Sequence, residues 1–308
     1  MVMDTKLFSR KQAGGMFSIV DREQFPTGQI FWVGSTVTGA SDSAGYGDNP
    51  GRPFATWVYA ETQASTDDTI FLLPGHAETI GVTGAAAITL DVAGLKTIGL
   101  GGRTRKPQIL LDGFADTYIS ITGADTVLEN ITIKSGHADV AQGVLIAAAG
   151  VEIRNCDFLE NTAAENFLVT IQTTAAADDL LVEGCVLYGV TQATEGIELV
   201  GATDRVTIRD NYISGLFSVS AISAITNACL GINISNNQIF NGTTAGNDLA
   251  GAIDLVTAST GMVTGNMIYL GDDTDCLTSI DADACGRAGN FAANEYDQEG
   301  GVAATQSA

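Results

Sequence analysis

The chain has 308 residues, of which 45% are hydrophobic and 16% charged, a balance that buries a sizeable core and excludes a chain disordered throughout. Acidic residues outnumber basic ones 36 to 14, for a net charge of −22. That excess argues against nucleic acid as a partner, because phosphates are met by clustered Lys and Arg. The sequence lacks the long apolar run of a membrane span and the charged-then-apolar leader of a secreted chain, so no membrane association is expected. Its five cysteines are irregularly spaced and read neither as a disulfide framework nor as a metal site.

Residues 1–22 carry Lys6, Arg10, Lys11 and Arg22 against Asp4 and Asp21, a charge of +2, which leaves −24 on the rest of the chain. This basic, unpatterned end is expected to be an attachment arm over residues 1–28. Residues 29–67 follow as an opening strand, a loop and a short helix. Thr56 is placed to cap that helix up to Ala64, with Trp57, Val58, Ala60 and Glu61 along it; a helix there would cover the open end of a stacked core. From Asp68 to Gly75 the pattern is a strand and then a turn. All five prolines fall in the first 107 residues, so the remainder suits uninterrupted sheet. The glycine-rich, basic segment 99–106 lacks the GK[ST] ending of a phosphate loop and reads as an exposed turn.

Beyond this point the sequence repeats. The segments 127–133, 151–158, 180–187, 206–213, 232–239 and 262–268 share alternating apolar residues around a small turn residue. Aligning Asn130, Asn155, Gly184, Asp210, Asn236 and Gly265 gives spacings of 25, 29, 26, 26 and 29, the length of one coil with three short strands and three turns. Asn, Asp and Gly enter the left-handed backbone region at least cost, as a corner between strands requires. The next position is Ile131, Cys156, Cys185, Asn211, Asn237 and Asn266. Stacked about 4.8 Å apart, the last three predict an asparagine ladder in which each amide donates and accepts, with the two cysteines as apolar fillers of the same column. A second repeating column (144–149, 167–172, 196–200, 221–225, 252–256, 278–283) points Ile197, Leu199, Ile253 and Leu255 inward and Glu198 and Asp254 outward. The fold class expected is all-β, a right-handed parallel β-helix over residues 68–290 with a C-terminal tail at 291–308.

The segment 31–80, with its opening strand, Gly/Asp/Ser-rich loop, Pro53–Thr56, capping helix, Asp68-Thr-Ile and Pro74-Gly75, resembles the start of pectate-lyase-like right-handed parallel β-helix proteins, many of them encoded by phages. The resemblance covers about residues 30–290 and implies the fold more than any activity, since this fold hosts lyases, glycosidases, adhesins, tailspikes and capsid-decorating proteins. The ordered NTD, DD, GHG and RIK set of polygalacturonase-like enzymes is missing, with only Ser135-Gly-His137 resembling part of it, and so is the pectate-lyase-like pattern around an inner Asp and His.

The expected catalytic set is therefore none. The pair that comes closest is Glu198 and Asp254, placed in one outward column with Ala224 between them and backbones about 9.6 Å apart, a separation compatible with an inverting glycosidase. His76 is expected to be structural, and the alternating column Arg154, Glu183, Arg209 to be an ion ladder. The acidic run with Asp272, Asp273, Asp275, Asp281 and Asp283 fails the EF-hand spacing and reads as a solvated loop before it reads as a calcium site. No cofactor is expected. The leading functional expectation is a non-enzymatic component of the virion surface of a tailed phage: a trimeric capsid decoration or cement protein, bound through Lys6, Arg10, Lys11 and Arg22 to the major capsid protein or another virion protein. The alternatives are a tailspike or receptor-binding protein that binds or cleaves polysaccharide, and a bacterial adhesin.

Overall fold

A computed structural model describes residues 28–81, 88–162, 164–241, 252–271, 280–282, 284–294 and 301–302. It is a parallel β-solenoid with one short helix. Three ladders run along it. Ladder A has ten strands, from Ile30–Val33 and Thr69–Leu72 to Thr260–Thr264 and Cys285–Ala288. Ladder B runs from Ala77–Ile80 to Phe291–Asn294, where the short strand Gly301–Val302 pairs antiparallel to it. Ladder C runs from Ile88–Leu90 to Ile280–Asp281. In two coils the strands of B and C are continuous, as Val186–Glu198 and Tyr212–Ala224.

The register confirms the repeat. Leu128, Ile153, Val182, Ile208, Ile234 and Val263 lie opposite one another in ladder A, and all are buried. Ladder B stacks Ile133, Phe158, Leu187, Ile213, Ile239 and Ile268, and ladder C stacks Val144, Ile171, Ile197, Ile222, Ile253 and Ile280. Alternation at period two sends every such residue inward, so the core is a set of aliphatic columns rather than one central cluster.

The corner residues do what their types imply. Asn130, Asn155, Gly184, Asp210, Asn236 and Gly265 all have φ between 53° and 68°, and Gly289 extends the column. In this conformation the N–H of Asn155 reaches Glu183 O at 2.9 Å and that of Asn236 reaches Thr264 O at 3.0 Å, so each corner is bonded to the next coil. A second left-handed column, unread in the sequence, precedes ladder A at Asp67, Gly94, Asp125, Gly150, Asp179 and Arg205. Its N–H groups bond onward in the same way, Gly150 to Asp178 O at 2.8 Å and Arg205 to Leu230 O at 2.7 Å.

The column after the first corner is buried. Asn211 Nδ2 donates to Asn237 Oδ1 (3.0 Å), Asn237 Nδ2 to Asn266 Oδ1 (3.0 Å) and Asn266 Nδ2 to Asn290 Oδ1 (2.9 Å). The ladder is thus one residue longer than the three expected. Each amide also donates to a core-strand carbonyl, as Asn237 does to Ile208 O at 3.0 Å. Cys156 and Cys185 occupy the same column and direct their thiols to the equivalent carbonyls, Leu128 O and Ile153 O, both at 3.5 Å.

The helix is Trp57–Gln63, capped by Thr56, whose Oγ1 accepts from Tyr59 N at 3.2 Å. Trp57 and Ala60 are buried against the first coils, closing the end of the core. Among the described residues no helix is long and apolar enough to cross a membrane.

Candidate functional site

The outward row of ladder C holds the carboxylates singled out by the sequence. Gln172, Glu198, Ser223, Asp254 and Asp281 stand opposite one another on successive coils. Glu198 and Asp254 are therefore two coils apart, but the residue between them is Ser223. Ala224, expected there, pairs with Leu255 and is buried inward; the shift of one residue reverses the face, as it must at period two. Ser223 and nearby Ser220 are buried, and neither hydroxyl has a hydrogen-bond partner among the described residues.

The two carboxylates differ in surroundings. Glu198 Oε2 accepts a 2.6 Å hydrogen bond from Gln172 Nε2. Burial pushes the Asp254 carboxyl above the ordinary aspartate range, and the charge of Asp281 adds to the effect. Glu195, three residues before Glu198 and opposite Ser220, is buried and also raised, first by desolvation and further by Glu198, against a hydrogen bond from Thr194 that lowers it. Sequence periodicity missed Glu195 because the register slips between Ala193 and Glu195, and such irregularities re-aim side chains.

His76 does not reach this row. It is fully buried; Nδ1 accepts from Ser35 N (3.0 Å), so Nε2 carries the proton and donates to Glu78 Oε2 at 3.2 Å. The same Glu78 oxygen accepts from Trp57 N at 2.6 Å. The histidine therefore ties the opening loop to the first turn and the helix, a structural role. The ion ladder is present: Glu183 lies opposite Arg154 and Arg209, at 4.0 Å from Arg154 Nε and 2.7 Å from Arg209 Nη2.

A second carboxyl pair went unread in the sequence. Glu61 on the helix hydrogen-bonds Asp91, and burial, then the charge of Asp91, then this hydrogen bond raise its pKa to about 7. The pair faces a surface cleft of about 410 Å³ lined by Val58, Thr62, Ile88 and Val92 among others. Residues so far apart in sequence show no local pattern.

The attachment residues Lys6, Arg10, Lys11 and Arg22, and the calcium candidates Asp272, Asp273 and Asp275 with Asp283, lie outside the described residues. Asp281 is described, exposed and opposite Asp254. Among the described residues no group of three or more His, Cys, Asp or Glu is placed to hold a metal ion.

Known proteins resemble the chain in fold, at low identity. The similar solved structures include a lacto-N-biosidase from Eubacterium ramulus (12% identity, TM-score 0.48, 89% of this chain), a rhamnogalacturonan lyase (11%, 0.46, 80% of this chain and 69% of that one) and a pectate lyase (14%, 0.46, 91% of this chain and 82% of that one). The chain spans 56% of the lacto-N-biosidase. No family model and no curated protein matches the sequence.

Proposed function

We propose that this chain is a non-catalytic scaffold: a homotrimeric decoration or cement protein on the virion surface of a tailed phage, held to a capsid or other virion protein by its basic arm. The observation that carries this reading is what the outward charges touch. Arg154 is bonded to Glu152 at 2.9 Å, Arg209 to Glu183, Arg205 to Asp179 at 2.6 Å and 2.8 Å, and Lys106 to Asp157 at 2.9 Å. Three of these four pairs join different coils, so these charges serve the body itself. A +2 arm on a −24 remainder suits docking on an acidic protein surface. Reversing Lys6, Arg10, Lys11 and Arg22 to Glu in the full chain is expected to abolish co-sedimentation with particles while leaving the circular dichroism spectrum unchanged. Undiminished co-sedimentation would overturn the reading.

A second reading, polysaccharide cleavage in the manner of a tailspike, is favoured by the ladder C row. Asp254, held toward its protonated form, would act as general acid, and Glu198, two strand spacings or about 9.6 Å away along the backbone, as general base on a glycan lying between them. Sugar release from host capsule or lipopolysaccharide, lost in both Asp254→Asn and Glu198→Gln, would establish it in place of the scaffold reading.

A further inference from the structure

Ladder B changes character along its length. In its upper coils the outward positions include Lys134 and Asp157, and Lys106 pairs with Asp157. From the strand that begins at Val186 onward, the outward positions are Val186 and Tyr188, Tyr212 and Ser214, Gln238 and Phe240, Met267 and Tyr269, Phe291 and Ala293. No charged residue stands among them, and the large ones lie open to solvent: Tyr188 is 46% exposed, Met267 54%, Tyr269 39% and Phe291 44%. Tyr212, Phe240 and Tyr269 form a tilted stack with ring centroids 5.5 and 6.4 Å apart. Beside them Gly189, Ser214 and Gly215 leave a groove of about 290 Å³ walled by Tyr188, Phe240 and Tyr269. Exposed Met, Phe and Tyr in one continuous patch mark a protein-binding surface.

We infer that this stripe is the face on which copies of the chain pack side by side. It rests on the scaffold reading above and names the surface that reading needs. Two observations select a second copy as the occupant. The first is pitch: the stripe presents side chains at the strand spacing, about 4.8 Å, over five coils. A partner that interdigitates with all of them needs the same axial repeat, and another copy of this solenoid has it. The second is charge. Each copy carries −22, and the outer row of ladder C displays carboxylates without basic neighbours in the row, Glu198, Asp254 and Asp281, while that of ladder A alternates Glu129, Glu152 and Glu183 with Lys96, Arg154 and Arg209. Copies that approach through ladder C repel, and the charges of ladder A already pair with one another, whereas the stripe on ladder B brings no charge to the contact. The aromatic knobs and the glycine-floored groove on the same stripe provide both halves of such a contact.

The test is sedimentation velocity of the full chain at micromolar concentration, with circular dichroism on every variant. The wild type is expected to sediment as an assembly, and Met267→Glu combined with Tyr269→Glu as a folded single chain. Met262→Glu and Leu230→Glu, at equally exposed apolar sites on ladder A (49% each), are expected to leave the assembly intact. As a second readout, Met267→Cys is expected to give covalently linked copies on mild oxidation and Met262→Cys none. A wild type that stays a single chain, or an assembly that survives the ladder B double variant, would overturn the inference; so would glycan binding by a single-chain wild type that is lost on Tyr188→Ala. A single-chain wild type that still co-sediments with particles through its arm would overturn self-packing alone. An assembled wild type that ignores particles would overturn the virion reading alone.

Discussion

The asparagines of the buried ladder illustrate how a side chain becomes part of the backbone bonding of a solenoid. Asn237 Oδ1 accepts from both the N–H and the amide of Asn211, and its own Nδ2 donates to Ile208 O and Asn266 Oδ1. Asn237→Ala leaves a buried backbone N–H without a partner, at a cost of about 1–3 kcal/mol for that group alone, and chemical denaturation is expected to show a loss of at least this size. Cys185→Ala removes only a thiol contact and is expected to cost less. Burial pushes the Cys156 thiol up to about 12 and holds Cys185 well above its usual range. Both are expected to stay unreactive toward a disulfide reagent until the chain unfolds. Arg205 occupies a left-handed corner at φ 57°, where a glycine or asparagine is the usual choice, and the two-pronged contact with Asp179 holds it there and lowers the Asp179 pKa. Arg205→Gly is expected to leave the melting temperature near that of the wild type, since the backbone gains what the exposed pair loses, whereas Arg205→Val is expected to lower it.

At the level of elements, the capping helix is expected to depend on pH for its attachment. Glu61 has a folded-state pKa of about 7 against an ordinary 4.5, so the folded state holds its proton more tightly than the unfolded chain does. The resulting stabilisation is complete below pH 4.5 and is lost as pH rises through 7, where two carboxylates face each other across the helix–coil seam. Thermal melts are expected to show a decline in melting temperature across that interval, flattened in Glu61→Gln. A melting temperature that holds level from pH 4.5 to 8 in the wild type would rule out the coupling. The aliphatic columns set a larger scale. Ile208 lies midway along ladder A between Val182 and Ile234, and Ile208→Ala is expected to cost about 2–5 kcal/mol by creating a cavity between coils.

For the molecule as a whole, the charge of −22 acquires a direction. Carboxylates without basic neighbours stand on the outer row of ladder C, ladder A mixes both signs, and the outward positions of the lower half of ladder B carry no charge. High salt screens repulsion between exposed charges over about 8–10 Å, and is expected to strengthen side-by-side association in sedimentation. A contact made through the arm instead is expected to weaken.

The fold was legible in the sequence because a stacked coil repeats the same local demands at each level. Corner positions need left-handed residues, inward positions need aliphatic ones, and both recur at the interval of one coil, so Asn130 through Gly265 and the asparagine column could be read directly. The helix after Thr56 was legible for the same local reason, a cap followed by an amphipathic turn. What the sequence did not carry was alignment across coils to the single residue. Glu198 meets Ser223 rather than Ala224 because irregularities in the long strands change the count between ladders, and at period two one residue decides which side of the wall a group occupies. The pairing of Glu61 with Asp91, the burial of Glu195 and the uncharged stripe from Val186 to Ala293 likewise follow from which coil lies beside which. Local chemistry determined the coil; only stacking, which brings residues about one coil apart to within about 4.8 Å, decided which side chains share a surface.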